Sequence, residues 1–415
     1  MKASTVPTQE LAERPEGYQG PDLSPRGLRL IPIPLAAGTW ALVANIPPKD
    51  NNGLVVGDRA ALVIDAGIVP DISAQIQHLA AKQTDRPLRY LVNTTYHGDH
   101  SFGNASFPAE VTVVSSKINR DNMTDLAYEK ARRAGNMYGE VALLDAVTDW
   151  RRPEVVFETA AEIDLGGRVV QLLYFGPGNG PGDTIVYLPD AQVAWTGNYL
   201  NHAGVAPMLL QGGPIPYLDS LRRMRAALPA LRTIVPGHGP VGDGRAAIDW
   251  LIGYLEQLLH DVREARRAGR TVQQTLETCP SPFAAGLDPR LVSYQLPQDT
   301  ARHRLLELMG NLHRLNVLAT YRAWSAPRAR LRDLRSARRL VAGCVRPAPA
   351  GAYHVGCPAA TVWRPWCWWP APRPWSLLLD ALEEADGIGL ERASMDSLSL
   401  ACAVICFNAL QRSPW

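Results

Sequence analysis

Apolar and polar positions along the chain predict short strands separated by amphipathic helices. Strand-like runs occupy residues 28–33, 39–44, 53–56 and 60–64. Ile72, Ile76, Leu79 and Ala80 recur at helical spacing and predict a helix over 70–83. A strand over 88–92 follows, then one over 111–115 and a single charged amphipathic helix over 116–134. Beyond a linker at 149–153, strands are expected at 155–157, 169–175, 184–188 and 192–196. A helix over 214–228 leads to a strand over 233–235 and a long helix over 246–267. That helix carries one apolar stripe, Ile248, Leu251, Ile252, Leu255, Leu258, Leu259 and Val262, the mark of a helix laid on a core. A last helix over 300–324 repeats the pattern at Leu305, Leu308, Leu312, Leu315 and Leu318. Several strands plus helices in each half predict two sheets packed face to face with helices outside. A doubly wound parallel sheet would alternate strand and helix more regularly.

Length and composition narrow the picture. With 415 residues, 46% hydrophobic and 20% charged, the chain suits two domains, or one large α/β domain with an appendage. A formal net charge of +2 gives no ground to expect nucleic acid or a membrane as partner. No run approaches the ~20 apolar residues of a membrane helix. Residues 1–27 are polar and rich in Pro and Gly, so they are expected to form a flexible arm. They lack the apolar stretch of a secretory leader, which makes a cytoplasmic location the expectation. Cys279 stands alone in the main body, while Cys344, Cys357, Cys367, Cys402 and Cys406 crowd the end, so no disulfide framework can hold the main body. Residues 326–415 are dense in Arg, then in Pro, Ala and Trp, without sustained periodicity, and are expected to be a poorly ordered tail.

The chemistry concentrates in Leu91–Asn104, LVNTTYHGDHSFGN, just past the strand over 88–92. His97, Asp99 and His100 fall within four residues, and imidazole with carboxylate is a ligand set that Zn and Fe prefer. Gly98 is expected to let the backbone bend so that its neighbours turn toward one ion. Three later glycine-containing loops also follow strands: Phe175 to Asp183 with Asn179, Thr196-Gly197-Asn198, and Pro236-Gly237-His238-Gly239. Polar loops gathered at strand ends are how a site is built on the open rim of a sheet sandwich.

With Asp65 at a strand end, Thr95-Tyr96-His97-Gly98-Asp99-His100 and those three loops, the chain resembles the metallo-β-lactamase-fold superfamily. The resemblance implies an α/β fold, a four-layer αββα sandwich over residues 28–325, with one or two metal ions at its rim. It also implies a hydrolase that uses metal-activated water. Three departures stand out: the family's HxHxDH motif has Thr95 at its first His, Asn179 replaces a His, and Asn198 replaces the bridging Asp. Residue by residue, one metal position keeps only His97, while the other keeps Asp99, His100 and His238. The expectation is therefore one divalent metal, Zn first with Fe or Mn as alternatives, held by Asp99, His100 and His238. Asp99 is also expected as a proton acceptor, and the unligated His97 as general base or oxyanion partner. Thr95, Asn179 and Asn198 are expected to line a substrate and oxyanion pocket, against the plainer reading that such asparagines only satisfy local backbone. Asp65 is expected behind the ligands, orienting the motif loop. His202 reads as a loop histidine, Tyr96 and Tyr199 as packing or substrate-donating groups, and His78, His260, His303 and His313 as surface or core-edge residues.

The function this implies is hydrolysis of an ester, thioester, lactone or amide in a small molecule. The alternatives are a non-hydrolytic enzyme on the same fold, such as an Fe oxygenase or cyclase, and a degenerate binding protein. The oligomeric state stays open.

Overall fold

The computed structural model describes residues 20–46, 48–209, 211, 213–283, 298–325, 345–347 and 353–355. The chain divides into one unit over Met1–Trp324 and a second over Ser325–Trp415. In the first, seven strands form one sheet in chain order: β1 (Leu30–Ala36), β2 (Thr39–Ala44), β3 (Asn52–Val56), β4 (Ala61–Ile64), β5 (Leu88–Val92), β6 (Thr112–Ser116) and β7 (Val155–Phe157). The strands are antiparallel up to β4, and each pairs in parallel with the next from β4 to β7. The switch occurs where α1 (Pro70–Gln83) provides the crossover that parallel strands require. The second sheet runs β13-β12-β11-β10-β9-β8. Its strands are β8 (Ala160–Asp164), β9 (Val169–Leu173), β10 (Ile185–Leu188), β11 (Val193–Gly197), β12 (Thr233–Pro236) and β13 (Gly242–Asp243).

The layers follow from which faces are apolar. Leu62, Val92 and Val114 of the first sheet meet Leu172, Val186 and Trp195 of the second in one core between the sheets. The outer face of the first sheet buries Val63 and Leu91 with Ile72 and Ile76 of α1. The outer face of the second packs under α5 (Pro214–Ala227), α6 (Gly244–Arg267) and α8 (Gln298–Ser325). Helix, sheet, sheet, helix is the expected αββα order. Covered on both faces, the central strands are apolar throughout rather than alternating, as in ALVI of β4 and IVYL of β10, both fully buried.

Four local features depart from the periodicity. The helix expected over 116–134 is two, α3 (Lys117–Asn122) and α4 (Leu126–Ala134). Ser116 accepts from Asn119 N and Asp125 from Tyr128 N, so each helix carries its own N-cap, with buried Met123 between them in a non-helical conformation. Strand β8, AAEID, was not foreseen: an edge strand has one neighbour and needs little apolar surface. Nor was α7 (Val272–Thr278), which a Thr271–Gln274 capping box starts. Finally, His313 is no core-edge residue but is buried, with Nδ1 at 3.1 Å from the Tyr254 hydroxyl.

Burial pushes the His313 imidazole down to about 4 from its ordinary 6.5. The unfolded chain thus takes up a proton that the folded chain refuses, and the stability this contributes is complete above pH 6.5 and lost as the pH falls toward 4. Between pH 7 and pH 5 wild type should lose about 2 kcal/mol more than His313→Gln in urea unfolding. Equal losses in the two proteins would exclude His313 as the titrating group.

In the second unit, Val345–Pro347 pairs antiparallel with Tyr353–Val355, a contact that the composition did not suggest. The expected order of the remaining tail, and that of residues 1–19 of the arm expected over 1–27, lies outside the described residues; residues 20–27 of that arm are held against the fold, with Leu23 buried and its N donating to Asn136 O. Among the described residues no helix is long and apolar enough to cross a membrane.

Candidate metal centre

The site begins where β4 and β5 end side by side. Asp65, directly after β4, adopts φ 60°, a left-handed conformation that short polar side chains tolerate. Its carboxylate accepts from Thr94 N at 2.8 Å and Thr94 Oγ1 at 2.7 Å, which laces the two strand ends together. Residues 98–101 then wind into the single turn α2 (Gly98–Ser101). Ser101 Oγ donates to the carbonyls of Tyr96 and His97 and accepts from Trp150 Nε1 at 2.9 Å, which clamps that turn. Gly98 is needed here for space rather than for an unusual φ, since a Cβ would fall 2.3 Å from the Phe102 ring. That corrects the expected reason for this glycine.

The second half of the site comes from the other sheet. The loop after β12 carries His238, and the 48–51 loop before β3 is stitched onto it. Asn51 N donates to Gly237 O at 2.7 Å, and Asn51 Nδ2 to the carbonyls of Pro236 and Gly239. This stitching delivers Asp50. Asp50, Asp99, His100 and His238 each offer a ligand atom, all within 4.8 Å of one another.

The hydrogen bonds behind the histidines aim these atoms. His100 Nδ1 lies 2.9 Å from Asp65 Oδ2, and His238 Nδ1 lies 2.7 Å from the Pro48 carbonyl. Each neutral ring with Nδ1 so engaged presents the lone pair of Nε2. Both lone pairs face the same atom, Asp99 Oδ2, at 3.5 Å for His100 and 3.4 Å for His238. With both rings neutral, three acceptors converge with no donor among them, while Asp50 Oδ1 is buried without a hydrogen bond. A cation satisfies such an arrangement, and two imidazoles with two carboxylates match the ligand preference and the charge of a divalent ion. The residues present therefore fit a metal.

Electrostatics agree. Burial would lower the His100 imidazole, yet Asp99 and Asp65 raise it to about 10, a measure of how strongly this corner attracts positive charge. Burial, then repulsion by Asp99, pushes Asp50 up to about 7. Burial also works against the charge of Asp99, but His100 and Arg133 hold it well below the ordinary carboxylate range.

The other expected residues are placed as follows. His97 is buried beside the cluster, with Nδ1 3.2 Å from Asn198 Nδ2. Burial first, then Arg133, lowers it to about 3. Asn198 Oδ1 lies 3.3 Å from His100 Nε2, so this amide sits between the two motif histidines. Asn179 donates to Met208 O at 2.8 Å, which spends part of its amide on backbone. Thr95 is fully buried next to Asp183, whose carboxyl burial pushes up to about 6. His202 Nδ1 lies against the carbonyl of Ala203, as a loop histidine would. Tyr199 is buried against Tyr217, while the Tyr96 hydroxyl accepts from Gln211. Asp50 was missed: in PKDNNG it reads as an ordinary acid in a polar connection.

Residues 49–238 match the metallo-beta-lactamase superfamily, a segment that runs from just before Asp50 to His238. A curated relative is the linear primary-alkylsulfatase of Pseudomonas sp. (strain ATCC 19151), 23% identical over 301 residues. That alignment covers 61% of this chain and 54% of the relative, so the chain spans about half of the relative's length. Among solved structures, a metallo-beta-lactamase from Pontibacter korlensis is 19% identical, with TM-score 0.44 over 55% of this chain and 99% of that one. One from Erythrobacter litoralis is 20% identical, with TM-score 0.43 over 55% and 97%.

Proposed function

We propose that the chain is a hydrolase that holds one divalent metal between Asp50, Asp99, His100 and His238 and acts on an ester-type bond of a small molecule in the cytoplasm. The convergence of both Nε2 lone pairs on Asp99 Oδ2 carries this reading. A bound metal would supply Lewis acidity and bring the pKa of a water toward ~7. Zn suits the imidazole pair best, and the two carboxylates also admit Mn or Fe. Asp65 and the Pro48 carbonyl hold the two rings in their ligating orientation. To Asn198, which lies between His97 and His100, this reading assigns a hydrogen bond to a substrate oxygen through its second amide hydrogen. Ester, thioester, lactone and amide all suit such a centre. The likeness to an alkylsulfatase adds a sulfate ester as a second reading of the bond.

Elemental mass spectrometry of wild type and His238→Ala tests the metal. One Zn, Mn or Fe per chain in wild type, lost in the variant, is the expected result. No metal in wild type would exclude the hydrolase and favour a degenerate binding protein. Redox-active iron would turn the assays toward oxygenase chemistry.

A further inference from the structure

Asp99 has a second partner besides the histidines. Its Oδ1 accepts from Arg133 Nη1 at 3.1 Å, while Oδ2 faces His100 and His238. On its other side, Arg133 forms an ion pair with Glu129, Nε to Oε1, at 2.9 Å. Glu129 Oε1 also accepts from Gly98 N at 2.9 Å. Glu129 and Arg133 stand four residues apart on α4, so both side chains leave the same face. The circuit therefore leaves the motif turn at Gly98, crosses two side chains of one helix, and returns at Asp99. All three side chains are buried.

Charge explains why two residues are needed. A lone guanidinium beside a metal ligand would repel the cation and spend the ligand's negative charge. Glu129 neutralises that guanidinium, so the triad keeps one net negative charge for the ion. Through the single bond from Nη1, the planar guanidinium then pins one oxygen of Asp99 by direction as well as by charge. We propose that Arg133, held by Glu129, is the positioning residue that fixes Asp99 as a one-oxygen ligand, with Oδ2 turned to the metal. This rests on the metal reading above. Without the guanidinium Asp99 is free to rotate or to offer both oxygens, and the turn over 98–100 loses a tether. Lysine keeps the charge but has no planar guanidinium.

The test is a titration of metal-free protein with Co(II), following the d–d absorption bands and the dissociation constant against a chelating dye. Wild type, Arg133→Met, Arg133→Lys and the double variant Glu129→Gln/Arg133→Met are compared, each checked for folding by circular dichroism. Arg133→Met should bind about 10–100-fold more weakly, the range for groups that orient ligands from behind, with altered d–d bands. Arg133→Lys should recover only part of the affinity. The double variant removes the Glu129 carboxylate that Arg133→Met alone would strand, so it keeps the comparison open if Arg133→Met does not fold, and it should show the same weakening. A folded variant lacking Arg133 that binds Co(II) with wild-type affinity and bands overturns the positioning role. Wild type that binds no Co(II) overturns the metal reading itself, a different outcome from the first.

Discussion

Asp99→Ala is expected to lose the metal and to cost about 3–5 kcal/mol of folding stability even in metal-free protein, the range for removing one partner of a buried ion pair. Both effects come from one carboxylate with two tasks. Oδ2 is the point on which His100 and His238 converge, so no arrangement of the remaining groups restores the ligand set. Oδ1 pairs with Arg133, whose guanidinium is buried and would keep only Glu129. Asp99→Asn separates the tasks: the amide keeps the shape and an oxygen toward Arg133, so it should lose metal while costing less stability. Urea unfolding of the three metal-free proteins, with metal content measured in parallel, distinguishes these effects. An Asp99→Ala protein as stable as metal-free wild type would mean that the Arg133 pair contributes nothing to folding.

Gly103→Ala should be the most damaging one-carbon change near the site. A Cβ on Gly103 would fall 2.1 Å from the Ala66 carbonyl oxygen and 2.1 Å from Ser73 Oγ. Neither neighbour yields easily. Ser73 Oγ donates to Ala66 O at 2.7 Å from the first turn of α1, and Ala66 is backbone that also donates to His100 O. Gly103 N donates to Gly67 O, so the whole 100–103 turn is sewn against residues 66 and 67. Relief of the clash must move the segment that starts at Asp65, the anchor of the His100 ring. Overpacking of this kind costs about 1–3 kcal/mol and more where backbone must shift, and about 3 kcal/mol is expected here. The same displacement should weaken metal retention. Thermal unfolding together with metal content decides the matter, and a variant with wild-type values in both would show that the turn is slack.

Some of the architecture was legible because its causes are local. Apolar stripes on α1 and α6 and the all-apolar runs of β4 and β10 follow from which side chains lie next to each other in sequence. The caps that divide α3 from α4 were local too: Ser116 and Asp125 are readable cap residues, and one continuous charged stripe overrode them. The motif turn and His238 were legible because each combines ligating residues with glycine just after a strand.

Asp50, Arg133 and Glu129 were not, and the reason is physical. Asp50 becomes a candidate ligand because Asn51 hydrogen-bonds the loop after β12 across more than 180 positions of chain. Arg133 and Glu129 look like an exposed i,i+4 pair on a charged helix, and only the seating of α4 over the motif turn buries them. By itself, then, the sequence of this protein determined most of the elements, their layering and three of the four groups that could hold a metal. The tertiary structure decided the fourth group, the lock on Asp99 and the burial of His97. Periodicity and residue chemistry act between neighbours, whereas burial and convergence arise only where distant segments meet.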